Sequence, residues 1–288
     1  AIKKFLEGRS WVVDLLPYLD QQGTYDRWNN DLAWDSPTNL PLASDLYIEA
    51  LACPNDESAF QVPGGLTYVA NSGFSYVTLP TQASASDATQ IRGHTFFDDR
   101  FDWDSDGVAS DPEDEEITFR TGVFWPHFEN GAFKDICNGR CFAPGKIYDG
   151  SSNTIMLAEN INAGQTNWAN PAVNSCGFVY PVNGGNSGPT DTNKASAALL
   201  GNTPTGVKTS ETPYPNQKKS GPEGTPFPSS GHPGIVVISM CDGSCRSLSD
   251  GIDKKVYTQL ITPDGTRLRT LSGLVSFVAE SPLSGDSF

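Results

Sequence analysis

The most constrained chemistry in the chain lies in twelve residues, Asp102-Trp-Asp104-Ser-Asp106-Gly107-Val108-Ala-Ser110-Asp-Pro-Glu113. Acidic side chains fall at loop positions 1, 3 and 5, glycine at 6 and glutamate at 12. That is the spacing of a calcium loop of the EF-hand kind. A hard cation of this size needs about six to eight oxygens converging on one point. Alternate side chains on a tightly curled backbone supply them, and the glycine permits the sharp central turn. The predicted ligands are Asp102, Asp104 and Asp106, the Val108 carbonyl, Ser110 directly or through water, and both carboxylate oxygens of Glu113. The competing reading of the same residues is a solvated acidic loop with Asx turns. Pro112 inside the loop and the strand-like Glu116-Ile-Thr-Phe-Arg-Thr-Gly-Val-Phe-Trp125 behind it oppose a helix–loop–helix. The expectation is a structural calcium loop inserted between strands, within an acidic excursion over 97–116.

Other chemistries fit less well. The three histidines, His94, His127 and His232, show no metal-ligand spacing such as H-x3-H. His232 opens a stiff His-Pro-Gly turn before an apolar strand, and the expected role is a structural hydrogen bond to the neighbouring hairpin or Asp242. Asp149 and Glu159 belong to a segment whose Asp, Ser and Asn side chains bond their own backbone. A serine hydrolase would show G-x-S-x-G and a phosphate-binding loop G-x-x-x-x-G-K-[ST]; neither is present. No enzymatic activity is expected.

The elements that would position these residues read as α+β. Ser10 to about Asn29 has a helical apolar stripe of Trp11, Val12, Leu15, Leu16 and Leu19, with Ser10 as cap and Pro17 as a kink. Leu66–Asn71 and Phe74–Leu79 read as two short strands joined at Ser72-Gly73. Thr154–Ala158 is a strand. Gly234–Cys241 is the strongest one, followed by an Asp242-Gly243 turn of type I′ and a return strand, Cys245–Leu248. Asp253 to about Ile261 reads as a short helix, and Leu271–Ala279 is a last apolar stretch. Residues 160–230 are rich in Gly, Pro, Asn, Ser and Thr and are expected to form long surface loops.

Composition narrows the function classes. The chain has 288 residues and a formal charge of −15, from 34 acidic and 19 basic residues. That balance argues against nucleic acid and against binding anionic membranes through a basic surface. No segment reaches the roughly 18 apolar residues that span a bilayer. The six cysteines are Cys53, Cys137, Cys141, Cys176, Cys241 and Cys245. Two pairs share a C-x3-C spacing, read as local disulfides Cys137–Cys141 and Cys241–Cys245, leaving Cys53 to meet Cys176. A four-thiolate zinc site is the rival for the two pairs, and a free buried thiol for Cys53.

Five segments together carry a family resemblance. They are Leu15-Leu-Pro-Tyr-Leu-Asp-Gln-Gln22, Cys53-Pro-Asn-Asp56, Tyr68-Val-Ala-Asn71, Asp149-Gly-Ser-Ser-Asn-Thr-Ile-Met-Leu-Ala-Glu159, and His232-Pro-Gly followed by Asp242-Gly243 in an H-X9-DG spacing. In this order they resemble the planctomycete prepilin-like, or pseudopilin-like, proteins with a C-terminal H-X9-DG domain. The resemblance implies an exported protein of the type II secretion and type IV pilus kind, whose sheet packs on a long N-terminal helix. That apolar helix is absent from this chain, where Ala1–Leu6 could be its tail.

The combined expectation is one α+β, pilin-like domain over 1–288: an N-terminal helical region (1–29) packed on an antiparallel sheet, with long loop insertions at 97–116 and 160–230, and a C-terminal hairpin region (231–288). Its function would be structural, as a subunit of a surface filament, pseudopilus or envelope assembly at the cell surface, outside the cell or in the periplasm. Its partners would be copies of itself or other pilin-like subunits. Membrane contact would come only through the missing helix. The alternative is a secreted carbohydrate-binding module or adhesin that binds glycan through Trp28, Trp34, Trp103, Trp125 or Trp168.

Four loop carboxylates in one turn repel one another without a cation. Chelation is therefore expected to lower the melting temperature and open 98–116 to protease, with calcium restoring both and magnesium restoring little. Replacing Asp104 and Glu113 together should mimic chelation. A melting temperature unchanged in chelator would contradict the calcium reading.

Overall fold

A computed structural model describes residues 9–78, 96–98, 112, 116, 119–124, 127–129, 132–134, 144–163, 167–181, 215–216, 225–267, 269–270, 273–274 and 283. The expected calcium loop (102–113, Pro112 apart), the Cys137–Cys141 pair, most of 182–224 and most of Leu271–Ala279 lie outside these residues. Among them the chain is mixed α+β, with short helices and an open mixed sheet.

The N-terminal helical region is present but divided. Helix α1 spans Trp11–Leu15, capped by the Ser10 side chain, which accepts from the Val12 N–H. A 3-10 turn, Leu16–Leu19, follows where Pro17 removes a donor, and Asp20 ends it at φ 58°. Helix α2 is Gln22–Arg27, and α3 is Leu40–Ser44. These helices do not lie on the main sheet core as expected. Val12, Val13 and Leu16 pack with Trp28, Ala43, Leu51, Leu66, Trp168 and Cys176 in a core of their own. The start is pinned there by Ser10 N–H to the Ala169 carbonyl at 3.2 Å and the Trp11 indole N–H to the Cys176 carbonyl at 2.9 Å.

The main sheet has the order β2-β1-β5-β7-β8, with β6 also pairing β1. The strands are β1 (Tyr68–Thr78), β2 (Phe96–Asp98), β5 (Ile155–Glu159), β6 (Gly177–Pro181), β7 (Ile235–Met240) and β8 (Cys245–Ser249). Two small ribbons complete the strands: β3 (His127–Glu129) with β4 (Ala132–Lys134), and β9 (Arg269–Thr270) with β10 (Gly273–Leu274). All pairings in the main sheet are antiparallel except β1 with β6, so the sheet is mixed rather than antiparallel as expected. Strand β7 alternates partly buried and buried residues, with Val236, Ile238 and Met240 inward. They meet Val69, Phe74, Ile155, Phe178 and Leu248, together with Tyr257, Leu260 and Ile261 of helix α5 (Lys254–Ile261). The helix that buries its apolar face against the sheet is thus C-terminal. Short α4 (Val173–Cys176) leads into β6.

Three turn expectations change. Ser72-Gly73 is no hairpin: β1 runs through it as one bulged strand, with Gly73 at φ 70° and a register shift between Asn71 and Phe74. The Asn71 side chain explains this. Its carbonyl takes the Gly73 N–H, and its amide donates to the Ile155 and Ile261 carbonyls at 2.8 and 2.7 Å. Gly122 packs so closely that a Cβ there would meet the Gly73 nitrogen at 2.5 Å. Second, the β7–β8 hairpin forms, but of the two turn residues only Gly243 has positive φ, 84°. Met240 N–H bonds the Ser244 carbonyl at 2.8 Å, leaving a three-residue loop with glycine in the left-handed position. Third, the 160–230 stretch is not all surface loop. Asn160, Trp168, Phe178 and Phe227 are buried, and β6 is a strand of the sheet, paired with β1.

Asp149 is the polar clamp at the other end of the sheet. Its buried carboxylate accepts from the Thr266 N–H at 3.0 Å, the Thr266 hydroxyl at 2.6 Å, the Gly265 N–H and the Thr262 hydroxyl. This ties the turn before β5 to the segment after α5. Asp149→Ala removes one acceptor set and strands several donors, so stability should fall by about 2–4 kcal/mol. A urea midpoint equal to the parent's would contradict the clamp.

Candidate functional site

Three family-type segments that are far apart in sequence meet at one point. Cys53 follows the 3-10 turn Glu49–Leu51, and its carbonyl accepts from the Asp56 N–H at 2.9 Å, closing the Cys-Pro-Asn-Asp turn. The Asp56 carboxylate takes the Thr67 hydroxyl at 2.6 Å, and Thr67 Oγ1 accepts the Cys53 N–H at 3.1 Å. The thiol is therefore held from its backbone outward. Glu159 is the last residue of β5, opposite Tyr68. Its Oε2 accepts the Val237 N–H of β7 at 2.9 Å, which fixes the carboxylate and turns Oε1 the other way. His232 stands in the turn before β7, where its N–H donates to Ser230 Oγ at 2.9 Å. Gly231 lets that turn approach the first one: a Cβ there would meet the Asn55 carbonyl oxygen at 2.5 Å.

The result is a compact group. His232 Nε2 lies 3.7 Å from Cys53 Sγ and 3.5 Å from Glu159 Oε1. Among the described residues, these three are the group of metal-ligating side chains whose atoms all fall within 4.8 Å of one another. Cys53 and Glu159 are buried, whereas the His232 side chain is 34% exposed. Burial, and then the Glu159 and Asp56 carboxylates, push the Cys53 thiol up, against one backbone hydrogen bond from Asn55 that lowers it. Burial and the nearby Cys53 and Glu159 likewise push Tyr68 up to about 12.

The arrangement differs from a nucleophilic triad in two ways. A catalytic cysteine needs a depressed pKa, and here it is raised. A triad also orients the histidine through its second nitrogen, whereas Cys53 and Glu159 both face the same Nε2.

The structure brings together residues the sequence kept apart. His232 turns to Glu159 and Cys53 rather than to Asp242, whose carboxylate instead accepts from the Ser244 N–H and hydroxyl at 2.9 and 2.6 Å. The expected disulfides among the described cysteines are not made: Cys53, Cys176, Cys241 and Cys245 are free thiols. Cys176 belongs to the N-terminal core, and burial pushes it up to about 12. Cys245 pairs in register with Ser239, not Cys241, across the hairpin. The six calcium-loop ligands, Asp102, Asp104, Asp106, Val108, Ser110 and Glu113, lie outside the described residues. The sequence signal for the cluster was available as three motif residues, each of which reads alone as a turn or a strand end.

These features define an α+β protein in which separate turns are stitched by buried polar side chains. The chain belongs to the family described as "Protein of unknown function (DUF1559)", whose model SBP_bac_10 matches residues 2–255. No curated protein and no solved structure matches it.

In chelator at neutral pH, iodoacetamide should label exposed Cys245 first among the four described cysteines, with Cys53 and Cys176 reacting only on unfolding. Peptide mass mapping reads this order. Rapid labelling of Cys53 in the folded protein would instead mark it as an activated nucleophile.

Proposed function

We propose that the protein is an exported structural subunit, pilin-like in plan, that assembles with its own copies or related subunits at the cell surface or elsewhere in the envelope. The observation that carries this reading is where the motif side chains go. Asn71, Asp56 and Asp149 are each spent on hydrogen bonds to other segments of their own chain. Such residues build a scaffold. The resemblance of the five segments to prepilin-like proteins supplies the envelope setting. The acidic spacing of 102–113 would bind a calcium ion, in a role confined to shape.

The glycan-binding alternative loses two of its aromatic residues, because Trp28 and Trp168 are core residues whose rings pack on each other at 6.1 Å. Among the described residues no helix is long and apolar enough to cross a membrane.

Crosslinking in intact cells, followed by immunogold microscopy, tests the assembly. The expected outcome is a ladder of crosslinked species and label on the envelope. A purely monomeric protein that binds saccharide and shows no envelope label would refute it.

A further inference from the structure

We propose that Cys53, Glu159 and His232 form a binding site for a borderline divalent transition ion, best matched by Zn2+. The ligand set selects the ion. Thiolate and imidazole suit zinc and its neighbours, whereas calcium and magnesium take oxygen. This site is therefore distinct from the acidic loop in both place and chemistry.

The geometry fits a tetrahedral centre. Zn–S of about 2.3 Å and Zn–N and Zn–O of about 2.0–2.1 Å at tetrahedral angles place sulfur about 3.5 Å from nitrogen, and nitrogen about 3.3 Å from oxygen. The separations here are 3.7 and 3.5 Å. The His232–Glu159 separation exceeds the roughly 2.7–2.9 Å of a charge-assisted hydrogen bond. Both partners face one nitrogen, and all three ligand atoms lie within 4.8 Å of one another. Supporting contacts are also in place. Val237 N–H holds the second carboxylate oxygen, and Thr67 and Ser230 hold the backbones of Cys53 and His232. The partly exposed His232 gives the site access from solvent.

Bound metal would favour the thiolate that burial otherwise disfavours. It would also fasten the Cys53–Asp56 turn, the end of β5 and the turn before β7 to one another.

The test is Co2+ titration of the reduced, chelator-stripped full chain, read by sulfur-to-cobalt charge-transfer absorption, with Zn2+ as competitor. One equivalent should produce the band, and Zn2+ should abolish it. Zn2+ should also raise the melting temperature by mass action. Cys53→Ser should remove the band. His232→Ala should weaken binding by more than the roughly 10–100-fold that loss of an outer partner costs. The double variant Cys241→Ser/Cys245→Ser should keep the band. Should Cys53→Ser fail to fold, the rate at which Cys53 of the unaltered chain is alkylated in urea just below its unfolding midpoint decides instead, and Zn2+ should slow it. Absence of a band at millimolar Co2+, persistence of the band in folded Cys53→Ser, or alkylation of Cys53 unaffected by Zn2+ would each overturn the proposal.

Discussion

Glu159 carries a carboxylate into a position where its side chain is 2% exposed. A group of that kind stays buried only if the chain around it supplies donors or a cation. One oxygen is satisfied by the Val237 N–H at 2.9 Å. The other faces His232. The main chain of Glu159 is used as well: its carbonyl receives the Ser229 N–H at 2.8 Å, and its residue pairs with Tyr68 across to β1. One residue therefore binds β1, β5, β7 and the lead-in to His232. The neighbouring turns obey the same rule. Asn160 Nδ2 donates to the Thr225 carbonyl at 2.9 Å, and Asn71 bridges β5 to the end of α5. Apolar burial supplies most of the stabilising free energy, but these side chains decide which turns lie beside which.

That division of labour explains the two cores. The sheet and α5 form an apolar layer whose alternation is dictated by strand period. The N-terminal helices are short, one turn or two each, and cannot stand alone. They are held by Trp28 and Trp168, whose rings pack together, and by backbone contacts to the segment before β6. The two cores meet through the chain itself. Leu66 belongs to one and Val69 to the other, with Thr67, the anchor of Cys53, between them.

Much of this was legible in the sequence where one local signal dominates. The Ser10 cap, the break at Pro17, strands β5, β7 and β8, and helix α5 all follow from capping, proline or period, and all appear. The signal failed where a side chain overrides the backbone code. Ser72-Gly73 has turn composition, yet Asn71 and Gly122 convert it into a bulge. The Gly- and Asn-rich stretch after 160 looked unable to be buried, yet its asparagines bond nearby backbone and serine hydroxyls: Asn170 accepts the Ala172 N–H at 3.0 Å and donates to Ser175 Oγ at 2.8 Å. The cluster's residues stood in separate motifs, but their convergence was not legible. Cys53, Glu159 and His232 are separated by 106 and 73 positions (159 − 53 and 232 − 159), and they meet through the pairing of β5 with β7 and the Thr67 anchor of Cys53.

Two distant turns and the end of β5 converge on one point, the proposed metal site. The most direct measurement is the X-ray absorption fine structure of the zinc-loaded chain. The account predicts a mixed first shell, with one sulfur at about 2.3 Å and the remaining ligands nitrogen or oxygen at about 2.0–2.2 Å. A shell of four sulfurs, or one of oxygen and nitrogen alone, would contradict it.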